Sequence, residues 1–199
     1  MIATKKLKVR MKIYIKEQNN QFSKHLDILK TSKVAKYKKS RLKEKSTVLF
    51  IETTKKLEQL NLDFLFDYQV FPEHILTSKS QWVEENRTMK AGDTIVQQIY
   101  IPPAKDLSLK IIFGVRVKEI ISDSDRRGFS YETLEGHVET GISTFTVEEH
   151  DGRIACRIQT FSKPGTTLTK LFGPVFSTPY QSYCTNAALR NMKRQLENQ

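Results

Sequence analysis

The chain reads as an α+β protein: N-terminal helices, then a curved antiparallel β-meander of five or more strands, then a long C-terminal helix packed across the meander. Three observations predict that order. Apolar residues recur at helical spacing as far as Tyr68, the pattern switches to alternation at Gly92, and helical spacing returns after Pro179. At 199 residues the chain can bury one sizeable core with a small appendage.

From Asn20 to Lys45, Phe22, Leu26, Leu29, Val34 and Tyr37 recur at roughly helical spacing among lysines, with neither Gly nor Pro, which predicts a basic amphipathic helix. Val48–Ile51 fits either a short strand or a buried helical turn. Leu57, Leu60, Phe64, Leu65 and Tyr68 keep 3,4 spacing and predict a second helix, stopped by Pro72. Residues 73–92 read as irregular, with a short helix around His74–Ser78 and the single tryptophan, Trp82.

Thr94–Ile101 opens the meander and Pro102-Pro103 ends that strand. Leu109, Ile111, Phe113, Val115 and Val117 then alternate with Lys110, Ile112, Gly114, Arg116 and Lys118, the pattern of a long half-buried strand. Asp123–Gly128 is a turn, Phe129–Leu134 and Ile142–Glu149 are the next strands, and a hairpin turn at Asp151-Gly152 leads into Ile154–Ser162. Pro164-Gly165 breaks the sheet. Ser177 or Thr178 serves as N-cap of the last helix, with Pro179 at or near its first position, where the missing N–H costs nothing. Tyr180, Cys184, Ala188, Met192 and Leu196 form an i, i+4 row to the C-terminus. A curved meander closed by such a helix leaves a cavity between the two, a natural place for an apolar ligand.

The net charge is +11, but it is not spread evenly. Residues 1–45 hold 15 Lys/Arg against Glu17, Asp27 and Glu44, whereas the remainder holds 18 basic and 19 acidic residues. This divides the chain into a basic, mainly helical arm over 1–45 and a near-neutral body over 46–199. Met11 is a second plausible start, which would remove four of the positive charges. The arm fits either a patch for nucleic acid or an anionic membrane, or a solvated helix face. It lacks the aromatic-interleaved motifs of RNA modules, and no P-loop or dinucleotide fingerprint occurs. With no apolar run of 18 residues and no secretory apolar stretch, a cytoplasmic protein is expected. Cys156 and Cys184 stay thiols in a reducing compartment, and His25, His74, His137 and His150 are too scattered for a metal site. No cofactor is implied.

The chemistry-bearing stretch is Tyr131–Glu139. Gly136 supplies a bend between two strands, and Glu132, Glu135 and Glu139 surround His137 in sequence. A carboxylate beside His137 would raise its pKa and orient its ring. The stretch is either the polar lip of a pocket with an acid/base pair or a solvated hairpin, and spacing alone favours the hairpin. Cys184 is placed for a nucleophile only if His137 reaches it; on the apolar row it reads better as a small hydrophobe. Ser130 and Ser162 lack a Gly-x-Ser-x-Gly context. The aromatics Trp82, Phe113, Phe129, Tyr131, Phe145, Phe161, Tyr180 and Tyr183 either line a cavity or fill a core, and the buried phenols need hydrogen-bond partners.

The run Gly128-Phe-Ser-Tyr-Glu-Thr-Leu-Glu-Gly-His-Val-Glu-Thr-Gly141 resembles the signature of an uncharacterised bacterial and plant family, a domain of unknown function. Phe161-Ser-Lys-Pro164, Gly173-Pro174 and Tyr183 fit the same family, and Asp63–Tyr68 and Gly92–Ile95 correspond more loosely. The resemblance spans about residues 57–197 and leaves the basic arm outside. Glu132 stands where many members have Gly, and Glu135 and Val138 where Pro is common. The resemblance implies a START-like or Bet v 1-like (SRPBCC) helix-grip architecture, whose members mostly bind lipids and other apolar small molecules and in a minority are cyclases or hydrolases. Taken together with the aromatics above, it makes Tyr131, Thr133, His137, Glu139, Phe161, Tyr180 and Tyr183 the ligand-binding candidates, with His137 and Glu139 the catalytic candidates of an enzyme alternative. A third alternative is docking of the basic helix on nucleic acid or an anionic surface, which salt would weaken.

Overall fold

The computed structural model describes residues 12–103, 107–164 and 178–199. In chain order its elements are β1 (Lys12–Tyr14), α1 (Phe22–Lys30), β2 (Lys43–Ile51), α2 (Asp63–Phe66), β3 (Leu76–Ser80), α3 (Gln81–Glu84), β4 (Thr94–Ile101), β5 (Leu109–Ser122), β6 (Arg126–Thr133), β7 (Glu139–His150), β8 (Arg153–Pro164) and α4 (Thr178–Glu197). The strands form one curved antiparallel sheet in the order β2-β8-β7-β6-β5-β4-β3. β5 is long enough to serve several neighbours: its first half pairs with β4 and β1, its second with β6. The register shifts between Val117 and Glu119, an irregularity of the kind that bends a strand.

Strand alternation sorts the side chains into two layers. On the inner face Phe113, Tyr131, Phe145 and Ile158 meet α4, whose Ala188 and Met192 have no exposed surface and whose Leu196 is 2% exposed. Each large apolar side chain moved out of water in this way stabilises the fold by about 1.5–3 kcal/mol before chain entropy is subtracted. On the outer face α1 lays Phe22, Leu26 and Leu29 against Val96, Ile112 and Leu134. The expected meander and closing helix are therefore present, with eight strands in the sheet among the described residues.

Three elements differ from the periodicity reading. The helix expected over 20–45 ends at Lys30, because Arg116 reaches over from β5 and its Nη2 donates to the carbonyls of Leu29, Lys30 and Ser32 at 3.1, 3.1 and 3.2 Å. Those carbonyls lie at the helix end, where they have no partner within the helix. The chain then runs extended: Ala35 N–H donates to Thr133 O at 2.9 Å, Glu135 N–H to Lys33 O at 2.9 Å, and Lys43 begins β2 along β8. The helix expected over Leu57–Tyr68 is instead one 3₁₀ turn, Leu57–Gln59, and the four-residue α2. Asn61 Oδ1 accepts from Asp63 N–H at 2.8 Å and starts α2 afresh, and Tyr68 stops it with φ +61°. The short helix expected at His74–Ser78 is replaced by the edge strand β3, where Leu76 pairs with Ile99 and Ser80 with Ile95. The expected N-cap at Ser177, the break at Gly165 and the Gly173-Pro174 pair lie outside the described residues. Among the described residues no helix is long and apolar enough to cross a membrane.

Candidate functional site

The site grows from the β6–β7 hairpin. Phe129, Tyr131 and Thr133 share the inward parity of β6, and the chain leaves the strand through Leu134, Glu135 and Gly136. Gly136 has φ +90°, open to glycine and strained for any other side chain. His137 N–H closes the turn on Leu134 O at 3.1 Å. The Thr133 hydroxyl then clamps the returning strand, accepting from Gly141 N–H at 3.1 Å and donating to Gly141 O at 3.4 Å. A Cβ on Gly141 would stand 1.9 Å from Phe161 O, and one on Gly128 2.0 Å from Phe145 O, so both positions need the bare backbone. The effect of the hairpin is to hold His137 and Glu139 at the wall of a cavity of about 140 Å³ between the sheet and the first turns of α4.

Its apolar wall is aromatic: Phe71 meets Phe145 edge-on at 5.9 Å between ring centroids, and Tyr131 lies 5.4 Å from Phe145. Behind this wall the phenols are satisfied from within, since Gln97 donates to Tyr68 and Tyr131 bonds with Tyr68 and Ser143. Burial pushes both phenols above their ordinary range, so they act as neutral hydrogen-bonding groups. Tyr180, on α4, donates to Tyr100 O at 2.7 Å and ties the start of the helix to β4.

The polar wall is made by His137, Glu139, Lys45 and Gln181. The His137 ring packs on Phe113 at 4.2 Å between centroids, and Nδ1 accepts from the Glu139 backbone N–H at 2.9 Å. Nδ1 also lies 3.1 Å from Glu139 O, a contact it can use only as a donor. Burial lowers the ring to about 3, so at neutral pH it is uncharged; with Nδ1 accepting, the proton sits on Nε2. This reverses the expectation of a raised pKa. The carboxylates expected beside the ring are elsewhere: Glu132 receives hydrogen bonds from Tyr37 and, at 3.3 Å, from Lys118, Glu135 is exposed, and the Glu139 carboxylate accepts from Gln181 and Ser162. Burial raises the Glu139 carboxyl, opposed by those two hydrogen bonds and by the nearby Lys45 charge. Lys45 Nζ itself donates to Ser182 Oγ at 2.6 Å.

Of the seven sequence candidates, Tyr131, Thr133, His137, Glu139 and Tyr180 line the cavity. Phe161 does not. Ile158, Thr160 and Ser162 occupy the inward parity of β8, which turns Phe161 to the outer face, where Lys39 Nζ lies 4.2 Å from its ring centroid. Tyr183 does not either: it is 42% exposed, because the cavity takes Tyr180, Gln181, Cys184 and Thr185 and leaves position 183 on the far side of the helix. Cys184 lines the cavity as a thiol, its pKa pushed up to about 12 by burial, which removes the thiolate a nucleophile needs. Sequence reasoning missed Lys45, Gln97 and Gln181. Gln97 had a signal, a polar side chain in line with Ile95, Ile99 and Ile101 on the inward parity of β4; Lys45 was hidden in a run of lysines. Among the described residues no group of three or more His, Cys, Asp or Glu is placed to hold a metal ion.

Two solved structures share this architecture. The hypothetical protein jhp0584 from Helicobacter pylori is 11% identical, with a TM-score of 0.52 over 77% of this chain and 88% of that one. Protein CV1439 from Chromobacterium violaceum is 14% identical, with a TM-score of 0.50 over 77% of this chain and 96% of that one. At such identities the likeness is one of fold alone. No curated protein matches the chain by sequence. The model of the family described as a domain of unknown function, DUF1990, matches residues 59–191, a stretch that takes in the hairpin, the described cavity lining except Lys45, and most of α4; the chain belongs to that family.

Proposed function

We propose that this protein is a binding module for an apolar small molecule or lipid, held between the sheet and α4. The observation that carries this is the cavity's composition: one wall of Phe71, Phe113, Phe145 and Tyr131, facing a compact polar edge of His137, Glu139, Lys45 and Gln181. A few placed polar groups in an otherwise apolar pocket are how small-molecule sites fix orientation without giving up burial. A START-like or Bet v 1-like relationship accords with a curved antiparallel sheet closed by a C-terminal helix.

Turnover in the same cavity is the second reading, favoured by the opposite displacement of two neighbouring groups, His137 downwards and Glu139 upwards. Binding is preferred because a ring at about 3 holds a proton too weakly for general-base work at neutral pH, and the Glu139 carboxylate is directed to Gln181 rather than to the imidazole.

The test is native mass spectrometry of the protein purified from its own source, followed by organic extraction. The binding reading expects one stoichiometric compound that disappears in a Thr160→Trp variant, whose indole fills the cavity. A chain at its bare mass, with nothing extracted, contradicts it.

A further inference from the structure

We infer that the cavity takes an apolar carboxylic acid, fatty or aromatic, with its carboxylate on Lys45 at the mouth and its tail between the sheet and α4. The inference rests on the binding reading above and adds to it the head group of the ligand and the residue that recognises it.

Polarity is graded along the cavity. Its floor is apolar, and the side chains of Ile99, Phe113, Phe145 and Ile158 there are buried. Its mouth opens to solvent between the half-buried polar side chains of Lys45, Glu139, Ser162 and Gln181. A molecule with one polar end satisfies both halves at once. Its tail gains from leaving water against the floor, and its head stays at the level that water reaches.

The charge of the head is set by Lys45, the one cation among the described lining residues. The side chain enters from β2, where Lys45 pairs with Thr160 of β8, itself part of the lining. Its Nζ donates to Ser182 Oγ at 2.6 Å, a neutral partner that leaves the charge unanswered and two ammonium N–H groups to give. Lys30, Lys79, Lys118 and Lys193 each meet a carboxylate, whereas Lys45 forms no ion pair among the described residues. Glu139 does not claim it, because that carboxylate accepts from Gln181 and Ser162. A half-buried cation is screened less than one on the open surface, so a carboxylate gains there a charge-assisted hydrogen bond that an alcohol cannot match. An amine of the same shape meets a like charge instead.

Glu139 is compatible with such a guest. The ligand acid and Glu139 would share one ammonium, and burial already raises the Glu139 carboxyl, which favours the proton that removes the surplus negative charge. The other titratable lining groups, Tyr131, His137, Tyr180 and Cys184, are uncharged at pH 7, so no further charge enters the balance. Lys45 also lies outside residues 59–191, so the contact to the head group comes from the segment ahead of the family region.

The experiment is calorimetric titration of the full chain at pH 7 with two acids, octanoate and phenylpropionate, with the alcohol of each, octanol and phenylpropanol, and with octylamine. The inference expects at least one acid to bind at least about tenfold tighter than its own alcohol and than octylamine. The tighter of the two acids assigns the tail as chain or ring. Lys45→Met keeps the length of the stem and removes the charge, and is expected to bring that acid to the level of its alcohol on the same variant. Binding is expected to vanish in Thr160→Trp. A preference below about tenfold for both acids, or one that persists in Lys45→Met, overturns the inference and leaves the binding reading intact. Absence of binding by all five probes, or binding that survives Thr160→Trp, overturns both. The probe series runs on the unaltered protein, so it decides the matter even if Lys45→Met fails to fold.

Discussion

Replacing His137 with Gln should remove a pH-dependent part of the stability, and its size follows from the burial of the ring. In the native protein the imidazole sits at about 3, held down by burial; in the unfolded chain it returns to about 6.5. Between those values the unfolded chain carries a proton that the native ring refuses. Stability is thus fully present above pH 6.5 and is lost as the pH falls towards 3, at about 1.4 kcal/mol per pH unit. From pH 7 to pH 5 that is about 2 kcal/mol. Two other groups titrate abnormally in this range. The lowered imidazole of His25 slopes the same way, and the raised carboxyl of Glu139 slopes the opposite way, since its contribution is lost as pH rises. Both remain in the His137→Gln variant, so they cancel in the difference between the two proteins. Urea unfolding at pH 7 and pH 5 measures it: the unaltered protein should lose about 2 kcal/mol more than the variant over that interval. Equal losses, within the roughly 0.5 kcal/mol of such extrapolations, would mean that the ring titrates as a solvated imidazole and does not form the cavity wall.

Gly141→Ala should lower the thermal midpoint, because its Cβ meets backbone rather than a movable side chain; a cost of about 1–3 kcal/mol is expected, and an unchanged midpoint would refute the close approach of β7 and β8. Met192→Ala empties a site with no exposed surface under α4 and should cost about 2–5 kcal/mol in urea unfolding, whereas a cost below about 1 kcal/mol would show that α4 is not seated on the sheet as described. Cys156 and Cys184 are both pushed up to about 12, so iodoacetamide at pH 8 should label the native protein at least about a hundredfold more slowly than the urea-unfolded chain. Rapid labelling of native Cys184 would revive it as a nucleophile.

What could be read from the sequence follows from what periodicity measures. Thr94–Ile101 is found at its expected bounds, and the alternation of Leu109 to Val117 located β5, because a sheet with one face under a helix forces every second residue inwards. The i, i+4 row of α4 was legible for the same reason: Ala188, Met192 and Leu196 point at the sheet. The basic segment was misjudged because Phe22, Leu26 and Leu29 do mark a helix face, yet its end is set by Arg116, some 85 residues away in sequence, and no local pattern carries that information. The site candidates were legible to the extent that parity reaches. Tyr131, Thr133, His137 and Glu139 fall on one face of a hairpin whose glycines fix its geometry. Phe161 failed on parity and Tyr183 on helix phase, both of which need the register of β8 and α4 rather than the identity of the residue. The protonation state of His137 was not legible at all: nearby glutamates in sequence suggested a raised pKa, and burial against Phe113 decides the opposite.

The central claim is that the space between the sheet and α4 is a ligand site. A crystal structure of the protein grown with benzyl alcohol tests it most directly. The expected result is a ring seated among Phe71, Phe113, Phe145 and Tyr131, beside the polar edge of His137 and Glu139. A crystal in which those side chains have closed over the space, or in which the probe lies only on the protein surface, would contradict it.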